Sequence, residues 1–220
     1  FFNNAKKAKL SATKDLGATE TAAIIAKTIV HDIATTSELG AGKRRVAHLL
    51  GMYGTILFWI ATVVLIFCYT SGESITPNLW SMMWHMGAIM TCVGGYWFWL
   101  FLRVDVLSEA HPWYRIIKAD LFVLALLACA TFGLAWSYTQ SLNLENRWDD
   151  KVFLTLYILS NIALFGGVYW SKFAHMIYKP GAAIQKNLAE ADGSRDNLPP
   201  LADAPKQFGL GIKREQPKHY

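Results

Sequence analysis

The sequence predicts an all-α integral membrane protein, a four-helix bundle with an N-terminal amphipathic helix and an extended C-terminal tail. Hydrophobic residues make up 53% of the 220 residues and charged residues only 17%, whereas a typical soluble domain has about 25% charged residues. The charges also cluster between long apolar runs. Each run approaches the roughly 20 residues that a helix needs to cross a bilayer.

Residues 1–46 are predicted to form a polar arm followed by an amphipathic helix. The chain starts at Phe1 and not at Met, which indicates that a segment precedes it, and the Lys-rich residues 1–19 lack the apolar core of a secretory signal. Residues 20–35 have apolar positions at helical spacing but are too short and too polar to cross a bilayer. We expect this helix to contact the lipid interface or a partner protein.

The membrane domain is predicted over residues 47–175. Aromatic residues gather at both ends of its second apolar run, as they do at membrane interfaces. The predicted spans are about 47–69, 79–102, 119–139 and 152–175. Pro180 indicates where the last helix ends or bends. Residues 176–220 are polar, with no long apolar run, and predict an extended cytoplasmic tail that is disordered or lies along a partner.

The distribution of Lys and Arg predicts the orientation. The side that carries residues 43–45, 103–118 and 172–179 has eight of them close to the spans, and the other side has two, Arg147 and Lys151. Because cytoplasmic loops carry an excess of Lys and Arg, both termini are predicted in the cytoplasm and the chain in the cell inner membrane. The same rule accounts for the net charge of +5, so nucleic acid is not an expected partner.

Several kinds of chemistry find no support in the sequence. Cys68, Cys92 and Cys129 lie inside apolar spans without the close spacing of a metal motif, so we expect no iron–sulfur cluster in this chain. The spans also lack the central charged residues that a transporter uses. With no triad, phosphate loop or paired carboxylates, the chain is expected to be a non-catalytic or quinone-reacting subunit.

Two histidines point to haem. His48 opens the first predicted span and His175 closes the fourth, so the predicted topology places both on the cytoplasmic side at similar depth. Imidazoles on opposed helices can hold a b-type haem, one axial ligand from each side. Gly51 and Gly54 would let the macrocycle approach the first span. Four basic residues are candidates to pair with the haem propionates: Arg44, Arg45, Lys172 and Lys179. Alternatively, both histidines hydrogen-bond lipid headgroups or a partner protein.

His85 points to a different ligand. It lies about one and a half turns into the second span, near the opposite face of the membrane. Its imidazole could hydrogen-bond a quinone carbonyl while Trp80 and Trp84 flank the quinone ring. A structural histidine at the interface, or haem ligation together with a neighbouring methionine, are the alternatives.

The sequence gives weaker indications of a ligand role for the remaining histidines. His111, in the predicted loop 103–118, could replace His48 or His175 as a haem ligand if the loop folds back. His31 on the amphipathic helix and His219 near the end of the chain are expected to be solvated or at a protein contact.

Three runs of sequence resemble one family of membrane cytochromes. They are HDIATTSELGAGKRR (31–45), RRVAHLLGMYGTILFWIATVV (44–64) and YWSKFAHMIYKPGAA (169–183). These runs are similar to the haem-bearing membrane region of the nitrate reductase gamma-subunit superfamily. That superfamily includes the membrane subunits of quinone-interacting membrane oxidoreductases and the cytochrome b of heterodisulfide reductases.

The resemblance implies a subunit that moves electrons between membrane quinone and soluble flavin or iron–sulfur subunits in the cytoplasm. His48 and His175 match the axial ligands of the family's haem nearest the cytoplasm. Typical members hold a second haem through another His on each of the same two helices, and many have five spans. Here neither helix has a further His and four spans are predicted, so one haem b is expected. The alternative function is a cofactor-free structural anchor or assembly subunit.

Overall fold

The computed structural model of the chain describes residues 12–37, 42–69, 76–102, 114, 116, 120–142, 147–168 and 173–194, with the backbone alone at 173–175 and 177. Within these residues all regular structure is helical and no strand is present, which confirms the all-α prediction. The chain divides into two compact units. We call Lys43–Ala174 the central unit, and we call Phe1–Gly42 together with His175–Tyr220 the terminal unit.

Within the described residues the structure contains six α-helices. In chain order they are α1 (Ala18–Lys27), α2 (Lys43–Cys68), α3 (Asn78–Trp97), α4 (Leu121–Ser141), α5 (Trp148–Gly166) and α6 (Phe173–Ala191). Two of them continue in wider π-helical turns, α1 through Thr28–Ala34 and α3 through Phe98–Leu102.

Of the helices that the structure describes, three are long and apolar enough to cross a membrane: α2, α3 with its π-helical turns, and α4. This finding indicates a membrane protein. The fourth predicted span, 152–175, is not one continuous helix, because α5 ends at Gly166 and α6 starts at Phe173. Glycine is a poor helix former, and Gly166 and Gly167 coincide with the end of α5. The four-helix membrane bundle therefore stays a prediction.

Glycines bring the backbones of α2 and α3 into direct contact. A Cβ atom on Gly87 would lie 2.4 Å from the Phe58 nitrogen, and one on Gly54 would lie 2.6 Å from the Thr91 nitrogen. Real Cβ atoms do not approach backbone atoms this closely, so both positions need glycine. Small residues at helix crossings are typical of membrane proteins, where close packing stabilises helix pairs.

A small core joins α2, α3 and α4, and large apolar side chains cover the outside of the unit. The core consists of Phe58, Ala61, Trp84, Ala88, Cys129 and Ala130. Exposed apolar residues recur at helical spacing on three helices: Ile56, Ile60, Val63 and Phe67 on α2, Met82, Met86, Ile89 and Val93 on α3, and Ile158, Leu159, Ile162 and Phe165 on α5. Continuous exposed apolar stripes of this kind are expected where helices face lipid.

The C-terminal segment differs from its prediction. Residues 176–220 were expected to be extended, but α6 continues through Pro180 to Ala191, and residues 195–220 lie outside the described part. The helix is possible because residues 182–191 are mostly good helix formers and because Ala189 is buried. Proline removes one backbone hydrogen bond from a helix interior, but here it does not end the helix.

In the terminal unit, α6 packs against the π-helical end of α1. The Asn187 amide donates hydrogen bonds of 2.8 Å to Thr28 Oγ1 and of 2.8 Å to Asp32 Oδ2. The Thr13 backbone nitrogen donates to the Asp192 carbonyl at 2.9 Å. Thr28 is only 1% exposed. The helix predicted at residues 20–35 is thus present, and one of its faces contacts α6.

Candidate functional site

A cavity of about 430 Å³ opens in the central unit, at the end where α2 stops and α3 begins. Each of four helices contributes three residues to its lining: Thr62, Leu65 and Ile66 from α2, Ser81, Trp84 and His85 from α3, Trp136, Ser137 and Gln140 from α4, and Leu154, Tyr157 and Ile158 from α5. The volume lies within the roughly 300–1,000 Å³ of small-molecule sites. Of the three residues predicted at a quinone site, His85 and Trp84 line the cavity, whereas Trp80 is not among its lining residues.

His85 makes a hydrogen bond with each ring nitrogen. Nδ1 lies 2.7 Å from the Ser81 carbonyl oxygen, and Nε2 lies 2.8 Å from Ser137 Oγ. A carbonyl only accepts, so Nδ1 carries the proton, and in the neutral ring Nε2 accepts from the Ser137 hydroxyl. Haem ligation by His85 would require one of these bonds to break. The geometry therefore favours His85 as a residue of the cavity.

Aromatic side chains form flat walls around the polar pair. Trp84 is buried, and its ring lies 5.1 Å from the Phe58 ring and 5.0 Å from the His85 ring. Trp136 stacks on Tyr157 with ring centroids 6.0 Å apart. The indole Nε1 of Trp136 is buried and has no hydrogen-bond partner among the described residues. The cavity thus combines apolar walls with a few polar groups, as sites for planar ligands do.

Part of the cavity mouth is apolar, although the exposed polar residues Ser81 and Gln140 also line the cavity. Ile66 and Ile158 line the cavity and are also exposed on the outside of the unit, by 55% and 48%. Within the described residues, the lining contains no Asp, Glu, Lys or Arg. A ligand that dissolves in lipid could therefore enter between α2 and α5 without crossing a charged barrier.

The predicted haem ligands lie in different units. His48 is on α2 in the central unit and is exposed. His175 is in the terminal unit, and only its backbone is described. Lys172 and His111 lie outside the described residues, and Arg45 is half-buried. The pairing of His48 with His175 stays a prediction.

Arg44 fits the predicted role of holding a haem propionate. It lies one helical turn before His48, and residues four apart on a helix are neighbours. Its Nε atom is buried and has no hydrogen-bond partner among the described residues. An unpaired buried donor costs about 1–3 kcal/mol, and a carboxylate would supply the missing acceptor.

The two glycines predicted to admit the macrocycle differ. A Cβ atom on Gly51 would meet nothing within 4 Å in the described structure. The space beside Gly54, in contrast, is occupied by the backbone of α3. The predicted role of Gly54 is therefore wrong, because its small size serves helix packing. Within the described residues no group of three or more His, Cys, Asp or Glu could hold a metal ion, but two axial histidines do not require such a group.

The sequence analysis missed Ser137 and the aromatic wall from α4 and α5. Ser137 lies near the end of α4 at Ser141, and His85 lies near the start of the antiparallel α3 at Asn78. Counting residues from the ends of neighbouring helices would have placed the two at similar depth. A contact, however, also depends on which face of α4 packs against α3. Because α4 has apolar residues on all its faces, its sequence does not show which face this is.

The fold and the cavity define the class of the chain as a helical membrane protein with an aromatic-walled internal site. Comparison with models of protein families, with curated proteins and with solved structures finds no match. The family resemblance of the three sequence runs therefore stays a prediction.

Proposed function

We propose that the chain is a membrane subunit of a respiratory oxidoreductase that exchanges electrons with quinone in the cavity around His85. In this proposal one b-type haem passes the electrons to or from soluble flavin or iron–sulfur subunits on the cytoplasmic side. The observation that carries it is the hydrogen-bonded pair of His85 and Ser137 in a cavity with aromatic walls and a partly apolar mouth.

Quinone suits this cavity for three reasons. Its flat ring matches the indole and phenol faces of Trp84, Trp136 and Tyr157, because aromatic rings pack well in stacked and edge-on arrangements. Its carbonyl oxygens need hydrogen-bond donors, and the hydroxyl of Ser81 and the amide of Gln140 are donor groups among the residues that line the cavity. Its lipid tail can pass the exposed Ile66 and Ile158 into the apolar surroundings.

In this proposal the haem lies at the opposite end of α2. His48 and Thr62 are 14 positions apart on this helix, which corresponds to about 21 Å at 1.5 Å per residue. A haem held by His48 and His175, with propionates on Arg44, Arg45 and Lys172, would supply a one-electron carrier over this distance. The proposal includes four spans and cytoplasmic termini, supported by the Lys and Arg count and by the exposed apolar stripe of α5.

A titration of the purified complex with a short-chain quinone tests the quinone site, with quenching of tryptophan fluorescence as the signal. We expect saturable binding that His85→Ala weakens about two- to tenfold, because the variant removes the partner that orients the Ser137 hydroxyl and one hydrogen bond contributes about 0.5–1.5 kcal/mol. Ser141→Ala is the matched control, because Ser141 lies one turn after Ser137 and its hydroxyl bonds its own helix at the Tyr138 carbonyl. Non-saturable quenching, or equal affinity in His85→Ala, would contradict the proposal.

A cofactor-free structural anchor is the second candidate. The glycine contacts between α2 and α3 and the packing of α1 on α6 would serve an assembly role equally well. A purified complex with neither haem nor saturable quinone binding would favour this function.

A further inference from the structure

The hydrogen bonds of His85 define the direction of the neighbouring hydroxyl. Since Nδ1–H is held by the Ser81 carbonyl, protonation can change only Nε2. With neutral His85, the Ser137 hydroxyl donates its hydrogen to Nε2, and its oxygen is left to accept a hydrogen bond. With protonated His85, Nε2–H donates to Ser137 Oγ, and the hydroxyl hydrogen becomes available to another acceptor.

These two states match the two forms of a quinone. A quinol hydroxyl is a donor and suits the accepting Ser137 oxygen beside neutral His85. A quinone carbonyl only accepts and suits the donating Ser137 hydroxyl beside protonated His85. The complementarity would link the protonation of His85 to the oxidation state of the ligand.

We propose that Ser137 is the group that contacts the quinone oxygen and that His85 acts through Ser137 as the proton acceptor during quinol oxidation. This inference rests on the proposed function and adds a relay to it. His85 is then a positioning and proton-holding residue behind Ser137, and not the direct partner of the ring.

The transfer is balanced in protons and electrons. One O–H bond of the quinol breaks and its proton passes to Ser137 Oγ, while the original Ser137 proton forms the Nε2–H bond of His85. One electron leaves the quinol for a one-electron acceptor, for which the proposed b-type haem is the candidate, so this step produces a semiquinone. Loss of a second proton and a second electron completes the oxidation to quinone. In the reverse direction His85 supplies the proton that converts the semiquinone to quinol.

Histidine is the side-chain type that usually changes charge between pH 5 and 8. His85 is the one histidine among the described residues that line the cavity. Among the described lining residues, the other titratable group is Tyr157 on α5, and α2 and α4 contribute no titratable side chain. Asp150 at the start of α5 accepts a 3.1 Å hydrogen bond from Thr139 on α4 and is not among the lining residues. A pH effect between 5 and 8 on quinone binding would therefore report on His85.

The test measures the affinities of a short-chain quinone and of its quinol under anaerobic conditions from pH 5 to 9, by tryptophan quenching on the purified complex. In the wild type we expect the ratio of quinone affinity to quinol affinity to rise as pH falls. The rise should be at most tenfold per pH unit, which is the limit for one proton. His85→Gln keeps a polar side chain but cannot titrate, so its ratio should not change with pH.

Ser137→Ala separates the relay from direct contact. His85 remains in this variant, yet we expect the ratio to be independent of pH because the hydroxyl is gone. Ser137→Thr restores a hydroxyl and should restore the pH dependence, and Ser141→Ala should behave as the wild type. Ser137→Cys, which keeps the volume of the side chain, replaces the alanine variant if that one does not fold.

Three results would overturn the inference or its basis, and they can be told apart. A pH-dependent ratio that persists in Ser137→Ala means that His85 contacts the ring directly, which refutes the relay but leaves the quinone site. A wild-type ratio that does not vary with pH also refutes the relay. Absence of saturable binding of either form by the wild type contradicts the proposed function itself.

Discussion

At the scale of single residues, a backbone carbonyl decides which nitrogen of His85 carries the proton. Because the Ser81 carbonyl oxygen accepts a hydrogen bond from Nδ1 at 2.7 Å, the neutral ring should hold its proton on Nδ1. Free histidine in water populates both the Nδ1–H and the Nε2–H tautomer. Fixing the tautomer leaves Nε2 as the one nitrogen that can gain or lose a proton toward the cavity.

We therefore predict the Nδ1–H tautomer for neutral His85. Nitrogen-15 NMR of histidine-labelled protein should show a protonated Nδ1 and an unprotonated Nε2, with the assignment made by comparison with His85→Gln. The tautomer should persist in Ser137→Ala, because the Ser81 carbonyl does not depend on Ser137. A neutral ring protonated at Nε2 in the wild type would contradict the relay, which requires an unprotonated Nε2 to accept the proton.

Asp32 provides a second prediction at this scale, outside the spans. Hydrogen bonds with His31 and with Asn187 lower the pKa of Asp32 from its ordinary value. A carboxyl with a lowered folded-state pKa stabilises the fold above its unfolded value of about 4, and this stabilisation disappears as pH falls through the lower folded value. The packing of α1 on α6 should weaken in that window.

The measurement compares thermal unfolding of the wild type and of Asp32→Asn at pH 6 and at pH 3. The wild type should be the more stable at pH 6, and the difference should shrink at pH 3, which lies below the unfolded pKa of about 4. Thr13→Ala serves as a control that leaves the carboxylate unchanged. A difference that does not depend on pH would mean that the charge of Asp32 contributes nothing to this packing.

At the scale of the helices, the crossing of α2 and α3 depends on glycine. We predict that Gly87→Ala lowers the stability of the detergent-solubilised protein by about 1–3 kcal/mol, the usual cost of overpacking, because its Cβ would meet the Phe58 backbone at 2.4 Å. Gly166→Ala is the matched control, since a Cβ there meets nothing within 4 Å of the described structure. Equal melting temperatures for the two variants would refute the close crossing.

The helices also show which parts of the fold a sequence can predict. Residues 47–69, 79–102 and 119–139 were predicted as spans. The helices α2, α3 and α4 cover these ranges closely and are long and apolar enough to cross a membrane. A long apolar run has few alternatives to a helix in a membrane. α6 was missed because its stability depends on packing against α1, and the Asn187–Thr28 contact joins residues 159 positions apart. No local sequence pattern predicts a contact between residues so far apart in the chain.

The sequence predicted only part of the candidate site, because the rest depends on contacts between helices. His85 and Trp84 were identified because a histidine within an apolar span is conspicuous. Ser137 was not, because a serine in a membrane helix commonly bonds its own backbone, and only the packing of α4 against α3 brings it to His85. The haem ligands stay a prediction, since His48 and His175 fall in different units.

At the scale of the whole molecule, the proposed function places quinone and haem at opposite ends of α2. We predict a b-type signal in the reduced-minus-oxidised visible spectrum of the purified complex, confirmed by a pyridine haemochrome assay. His48→Ala and His175→Ala should each abolish it, because a haem that loses an axial ligand is held weakly or not at all. His31→Ala is the control and should keep the signal. A complex without haem would remove the cytochrome interpretation and favour the structural anchor.

The central claim is that the cavity around His85 binds quinone, and photolabelling with an azidoquinone tests it most directly. The purified complex is illuminated with the probe, and labelled peptides are mapped by mass spectrometry with and without excess short-chain quinone. We predict labels on α3 around Ser81–His85 and on α4 around Trp136–Gln140, removed by the competitor and reduced in His85→Ala but not in Ser141→Ala. Labels confined to other segments, or labels that the competitor does not remove, would contradict the claim.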